Sequence, residues 1–590
     1  MILKKFSQII IACLSFLSIP VFANNTYSVL AYHSVVDESA PKDKRLYVSQ
    51  TISSDQLIAH FNWFKSQGYN IVSWQQIIDA EKGKTKLPNK AVLLSFDDGY
   101  ETMYSVIYPL LKAYNYPAVF APVSSWISAP MGQKIQYGNE KLDREKFFAT
   151  WQQIDEMQNS GLVEIASHTH DLHHGIKANP GGSQLAAMIA PEYKNGKYET
   201  EEQYKFRVLN DMKISSNLIK KYTGKAPQIM VWPYGAFTET TVKLAKEAGM
   251  PYHFTLKEKV NQVGDAHVGR FLIDAESNFA VMARYLNRVS DTDNESFVQR
   301  KLHINLDFVY SPDPIKFKAN YDALISNVAK YGVTAVYLKA YSDSNKDGII
   351  DAVYFPNKYL PVRADIFSQV AWQLRTRAGV KVYTWMPASL ESLPENLRQV
   401  KVMQSLYQDL SLYSKTDGLF FDSKIGKHKW IDNSKESINL TKLWTAAAEP
   451  YFFFNRYTQR VSRNINPLDT NFTQNLVEFS KNYDGVLIEM RPYSLGGVKT
   501  KQEAKHWLLD IVQRVEESEV ATKQILFDFA VVNPKTSENI SSEELIGWIK
   551  LLEKYQIFSF GYYPNKYLFD EDMLQKMKPY VSSNRDITRK

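Results

Sequence analysis

The chain has 590 residues, 44% of them hydrophobic and 23% charged. That is globular composition on a length that calls for more than one core. Lys and Arg number 70 against 63 Asp and Glu, a net charge of +7 with no dense basic run, which argues against a nucleic-acid partner.

In chain order, Lys4 and Lys5 precede an apolar stretch from Ile9 to Phe22, closed by Ala23. A basic start, a short apolar run and a small residue make a secretory signal over 1–23, with cleavage before Asn24. Pro20 and the shortness of the run weigh against a membrane span. Cys13 is the only cysteine, so the mature chain is expected to have no disulfide. The alternative is a lipoprotein-type ending at Ile10-Ile11-Ala12-Cys13, with Cys13 acylated; the apolar run continues past Cys13, which favours ordinary cleavage.

Apolar residues at 57, 58, 61 and 64 have helical spacing, with Ser53 or Ser54 as N-cap and Gly68 as stop. The runs 91–96, 118–120 and 163–166 read as buried strands. Strands alternating with helices predict a parallel, barrel-like sheet. The polar segment 290–296 reads as a linker. Beyond it, strand-like runs at 303–310, 333–338, 380–385, 418–421, 486–490, 525–529 and 557–561, with one more between 451 and 464, predict a (β/α)8 barrel.

Three motifs carry chemistry. Ser95-Phe96-Asp97-Asp98-Gly99-Tyr100 follows a strand, where α/β folds place active sites; the bland alternative is a helix-capping turn. In Ser167-His168-Thr169-His170-Asp171-Leu172-His173-His174, four of the chain's 11 histidines fall within seven residues. Imidazole suits zinc and related metals, and one carboxylate with two histidines leaves positions open for water and substrate. Val231-Trp232-Pro233-Tyr234-Gly235 reads as a tight loop able to offer a backbone N–H to an oxyanion.

In order and spacing the three motifs resemble the polysaccharide deacetylases of carbohydrate esterase family 4, and Tyr32-His33-Ser34 resembles a recurrent opening of that family. The five-residue step from His168 to His173, the Trp-Pro-Tyr-Gly loop and an attached second domain narrow the likeness to the poly-β-1,6-N-acetyl-D-glucosamine N-deacetylases of Gram-negative biofilm export. The resemblance implies a fold of two units: a distorted (β/α) barrel over 24–289, a linker over 290–299 and a glycosidase-like (β/α)8 barrel over 300–590. It implies that Asp98, His168 and His173 hold a divalent metal (zinc, nickel, cobalt or iron), that Asp97 is the general base, and that Tyr234 donates its backbone N–H to the oxyanion. Trp232 would wall the sugar site. The arginine that often orients the base in the third motif is missing, and Arg270 is the candidate substitute. The family's late histidine acid has no equivalent here, since His253 and His267 lack its context, so modest activity is expected. The implied protein is a monomer in the periplasm or at the outer membrane, with the polymer as partner and an export porin as a candidate second one.

In the second half, Tyr383-Thr384-Trp385-Met386-Pro387 and Gly561-Tyr562-Tyr563-Pro564 resemble the same family's C-terminal domain. Trp385 and Asp422 are candidate polymer contacts, and Asp422, Glu489 and Asp528 are acids at strand ends. The family's Asp-Asp pair is Asp422-Ser423 here, which favours binding over cleavage. Asp343-Ser344-Asn345-Lys346-Asp347-Gly348 opens like a calcium loop, but Tyr354 stands where the closing Glu belongs. Rival readings are an inactive polymer-binding module, a non-haem iron oxygenase, and a chitin or peptidoglycan deacetylase.

Overall fold

The strand under the first motif is buried along its whole length, as its unbroken apolar run requires. In the computed structural model, which describes residues 25–48, 50–287, 298–426, 429–431, 435–453, 460–533, 539–563 and 571–582, β1 (Thr26–Tyr32) pairs in parallel with β2 (Ala91–Asp98). The expected signal segment with Cys13, the stretch 290–297 of the expected linker, and Pro564 lie outside these residues. The sheet continues to β3 (Ala118–Pro122) and β4 (Val163–Ile165). A parallel bridge from Ser167 to Met230 then leads to β5 (Ile229–Val231). This strand pairs with β6 (Tyr252–Phe254), which pairs with β7 (His267–Val268), and β8 (Phe271–Leu272) returns to β1. The single segment 267–272 therefore closes the ring, making a distorted (β/α) barrel.

Helix α1 (Ser54–Ser66) starts at a capping box between Ser53 and Gln56 and buries Leu57, Phe61 and Phe64, following the predicted periodicity. Helix α2 (Glu201–Thr223) begins with a second capping box at Thr200 and Gln203.

The second unit is a closed barrel of eight parallel strands. They are β9 (Arg300–Asn305), β10 (Ala335–Lys339), β11 (Lys381–Pro387), β12 (Gly418–Asp422), β13 (Arg460–Ile465), β14 (Gly485–Met490), β15 (Ile525–Ala530) and β16 (Phe560–Tyr563). β16 closes back on β9. The run 303–310 is not one strand. β9 starts three residues earlier and ends at Asn305, whose side chain accepts from the Asp307 N–H and turns the chain into a short helix. The last strand likewise begins at Phe560, later than the apolar run that opens at Ile557.

The two units share an apolar core. Tyr204, Val208 and Met212 of α2 pack in one cluster with Leu412 and Tyr451 from the second barrel. Tyr451 donates its hydroxyl to Glu201, and Tyr198 donates to Asp365 at 2.5 Å. Leu412 belongs to helix α4 of the second unit, with α3 as Phe367–Arg377 and α4 as Val400–Tyr413. Leu412→Ala should cost about 2–5 kcal/mol in urea unfolding. Leu412→Asp should split one calorimetric transition into two, because a carboxylate cannot remain in that cluster unpaired; an undivided transition would show that the units do not depend on this contact.

Candidate active site

The first motif turns sharply where β2 ends. Asp98 has φ 72°, and the Gly99 N–H donates to the Asp97 carbonyl at 3.0 Å. A left-handed aspartate is unusual and strained. Gly99 follows at φ 96°, where an added Cβ would lie 3.1 Å from Ile127 and Pro122. The turn sends the two carboxylates in different directions, and both are buried.

Asp97 faces Arg270, whose Nη1 donates to Asp97 Oδ1 at 2.8 Å and to Ser95 Oγ at 2.7 Å. Arg270 Nε donates to the Thr255 carbonyl, so the guanidinium is fixed on three sides. It reaches the site because it lies between β7 and β8, in the segment that closes the barrel. Burial alone would push the Asp97 carboxyl up, but the Arg270 charge, with His168 and His33, holds it below the ordinary value of 3.8.

Asp98 faces the histidines. Its Oδ1 lies 3.3 Å from both His168 Nε2 and His173 Nε2, yet it is buried without a hydrogen bond. The His168 Nδ1 lies 2.7 Å from the Val231 carbonyl, which fixes Nδ1 as the donor and leaves the Nε2 lone pair free to ligate. Three ligand atoms thus converge without bonding one another, as they do around a cation. This is the only such group among the described residues, and the donor set fits a divalent transition metal. Tyr100 donates to Asp98 Oδ2 at 2.8 Å and Tyr137 lies 3.3 Å from it. The loop carrying His168 and His173 is held from α2: Asp211 accepts the N–H groups of His170 and Asp171 at 2.8 and 2.7 Å. Burial raises the Asp211 carboxyl to about 6 despite these two donors.

The third motif forms the far wall. Tyr234 has φ 58° and Gly235 φ 65°, and a Cβ on Gly235 would come within 2.9 Å of Leu256. Gly235 and Ala236 donate back to Trp232 and Pro233. The Val231 carbonyl, which a further turn would use for the Tyr234 N–H, is taken by His168. The Tyr234 ring is 48% exposed and 4.6 Å from the His173 ring. Asp97, Asp98, His168, His173, Tyr234 and Arg270 all line one cavity of about 220 Å³.

Trp232 borders that cavity but is 1% exposed and stacks in the core on Phe237 and His253. His33 also lines it, with Nε2 4.0 Å from Asp97 Oδ2. The sequence marks His33 only as part of a family opening and Tyr100 only as the last residue of the first motif, and it gives no sign of Tyr137 or Asp211. Trp385 and Asp422 are elsewhere, at the C-terminal end of the second barrel. Both are buried, and the Trp385 indole N–H donates to Asp422 Oδ2 at 3.0 Å. In the Asp343–Gly348 loop the Gly348 N–H donates to Asp343 Oδ2 and the Ile349 N–H to Asp347 Oδ1, while Asp343 Oδ1 is buried without a hydrogen bond.

Residues 84–253 match the family model "Polysaccharide deacetylase", and residues 303–402 and 455–563 match "Hypothetical glycosyl hydrolase family 13". The chain is 31% identical to the poly-beta-1,6-N-acetyl-D-glucosamine N-deacetylase of Escherichia coli K12, over 95% of this chain and 92% of that protein. Among solved structures, a de-N-acetylase from Aggregatibacter actinomycetemcomitans is 59% identical, covering 44% of this chain and 99% of that one, with a TM-score of 0.42. The PgaB (BpsB) glycoside hydrolase domain from Bordetella bronchiseptica is 24% identical, covering 48% of this chain and 99% of that one, with a TM-score of 0.43. With its deacetylase motifs gathered in one cavity and the match running almost from end to end, the chain belongs to the poly-β-1,6-N-acetyl-D-glucosamine N-deacetylase family and is a deacetylase.

Proposed function

We propose that this enzyme removes acetyl groups from poly-β-1,6-N-acetyl-D-glucosamine during its export, using a divalent metal held by Asp98, His168 and His173. The observation that carries this reading is the division of labour at the end of β2, where one carboxylate faces two imidazoles and its neighbour faces a guanidinium. A metal held there would supply Lewis acidity, lowering the pKa of water and polarising the acetamide carbonyl. Asp97 takes the proton of the attacking water, and Arg270 keeps it ionised and aimed. The Tyr234 N–H stabilises the developing oxyanion. His33 returns a proton to the leaving nitrogen, because it is the cavity's remaining imidazole and lies beside the base. Burial outweighs the nearby carboxylates and holds His33 below the ordinary histidine pKa.

The second barrel, in the division 24–289, 290–299 and 300–590, holds polymer without cleaving it. A glycosidase keeps one carboxyl protonated to serve the leaving oxygen. Here Glu489 sits between Lys424 at 2.6 Å and Arg491 at 2.9 Å, and Asp528 pairs with His303 at 3.1 Å. Burial pushes Asp422 up, but Lys424, Asn464 and its other partners hold it below the usual carboxylate value. Secretion through the predicted signal places this work in the periplasm or at the outer membrane.

Amine release from a β-1,6-linked N-acetylglucosamine oligomer tests the reaction. Chelation and Asp97→Ala should each abolish release, and His33→Ala should lower kcat by about a hundredfold with metal content unchanged. A wild type that releases no amine with any divalent metal defeats the proposal.

Removing Arg270 leaves Asp97 a buried, unpaired carboxylate. Arg270→Met should therefore cost about 3–5 kcal/mol at neutral pH in urea unfolding. The sign follows from the depressed carboxyl: its contribution is present above the unfolded value of 3.8 and lost as pH falls through the lower folded value. The gap between parent and variant should therefore narrow in acid, and Asp97→Asn added to Arg270→Met should recover part of the loss.

A further inference from the structure

A carboxylate offers a metal two oxygens, and how many of them it uses sets how many coordination positions remain for water and substrate. The two oxygens of Asp98 have unlike surroundings. Oδ1 lies 3.3 Å from both His168 Nε2 and His173 Nε2 and is buried without a hydrogen bond. Oδ2 faces two phenols instead. The Tyr100 hydroxyl donates to it at 2.8 Å, and the Tyr137 hydroxyl lies 3.3 Å away. The two hydroxyls are 2.8 Å apart. Each phenol has one hydrogen to give and is protonated at neutral pH. With the Tyr100 hydrogen on Oδ2, Tyr137 donates either to the Tyr100 oxygen, which polarises the Tyr100 bond, or to Oδ2 itself. Oδ2 is engaged in both arrangements.

Both rings are held by structure that lies outside the metal ligands. Tyr100 is 2% exposed and stacks on Phe148. Its backbone forms an antiparallel bridge with Phe148. On either side of that bridge the Ala149 N–H donates to the Gly99 carbonyl and the Glu101 N–H to the Phe147 carbonyl. Tyr137 comes from a hairpin that pairs Lys134–Tyr137 with Glu140–Asp143, and it lines the catalytic cavity. Its ring stacks 6.4 Å from the His173 ring and meets Trp126 edge-on at 5.6 Å. Arg144, buried at the foot of the hairpin, donates to the carbonyls of Ile127, Phe148 and Ala149. One guanidinium thus ties the hairpin to the segment that holds Tyr100. Phenylalanine would fill the same space at either position. Among the described residues the two hydroxyls bond only to Asp98 and to each other, so orienting that carboxylate is the task the structure leaves them.

We propose that Tyr100 and Tyr137 are positioning residues that reserve Asp98 Oδ2, so that Asp98 gives the metal one oxygen and a coordination position stays open for the acetamide of the substrate. This rests on the metal-dependent reading of the site and deepens it. A carboxylate released from both phenols can turn its second oxygen toward the cation and fill the position that the substrate needs.

The test is spectroscopic and needs no turnover. The full-length parent, Tyr100→Phe, Tyr137→Phe and the double variant are loaded with Co2+, whose visible absorption is strong in four- and five-coordinate sites and weak in six-coordinate ones. The parent should show the strong band. Tyr100→Phe should weaken that band and lower Co2+ affinity about tenfold in competition with a chelator, and the double variant should go further. Tyr137→Phe should act in the same direction to a smaller extent; this residue is half-buried, so it carries the test if Tyr100→Phe fails to fold. A purely structural role would lower the melting temperature of the metal-free protein and leave the band where it was. A parent band and affinity that all the variants leave unchanged therefore overturn the inference alone. A parent with no Co2+ band defeats the metal reading of the site, and the inference falls with it.

Discussion

Two adjacent carboxylates cannot both stay ionised in one buried pocket unless each has its own counter-charge. Much of the architecture around Asp97 and Asp98 answers that requirement. The left-handed turn at Asp98 points the pair apart. Arg270 then neutralises one, and two imidazoles converge on the other. The turn packs closely at the next residue, Gly99, where an added Cβ would lie 3.1 Å from Ile127 and Pro122.

The closure of the first barrel is part of the same device. The segment 267–272 pairs with β6 through its first half and with β1 through its second. Arg270 lies at the crossover, so it is held by sheet on both sides as it enters the site. An arginine on the third motif would approach Asp97 along β5; here the charge comes from the seam of the barrel. Opposite it, the backbone carbonyl of Val231 orients His168, and Asp211 on α2 holds the loop that carries both histidines. Rigid elements therefore fix each group that would meet the substrate.

The second barrel is fused to the first through the apolar cluster of α2 with Leu412 and Tyr451. That packing turns its N-terminal face toward the deacetylase and leaves a cleft between them. The buried carboxylates at its other end lie beside Lys, Arg, Asn and His partners.

What the sequence determined by itself was whatever lies close along the chain. The strand under Asp97 and Asp98, the five-residue step between the histidines, the Trp-Pro-Tyr-Gly loop and the alternation that makes two β/α units are all local patterns, read from periodicity and spacing. Arg270 was legible only as a stand-in for a missing family residue. Its contact with Asp97 spans 173 positions, and no periodicity encodes it. The strand ends at Asn305 and Phe560 were misplaced because side-chain capping and barrel closure, not hydropathy, set them. Asp211, Tyr137, the bond from Tyr100 to Asp98 and the cleft behind Tyr234 left no trace in the sequence. Tertiary structure alone decided these, because they exist only where distant segments meet, and burial, which gives each of those groups its partners and its charge state, is a property of the packed chain.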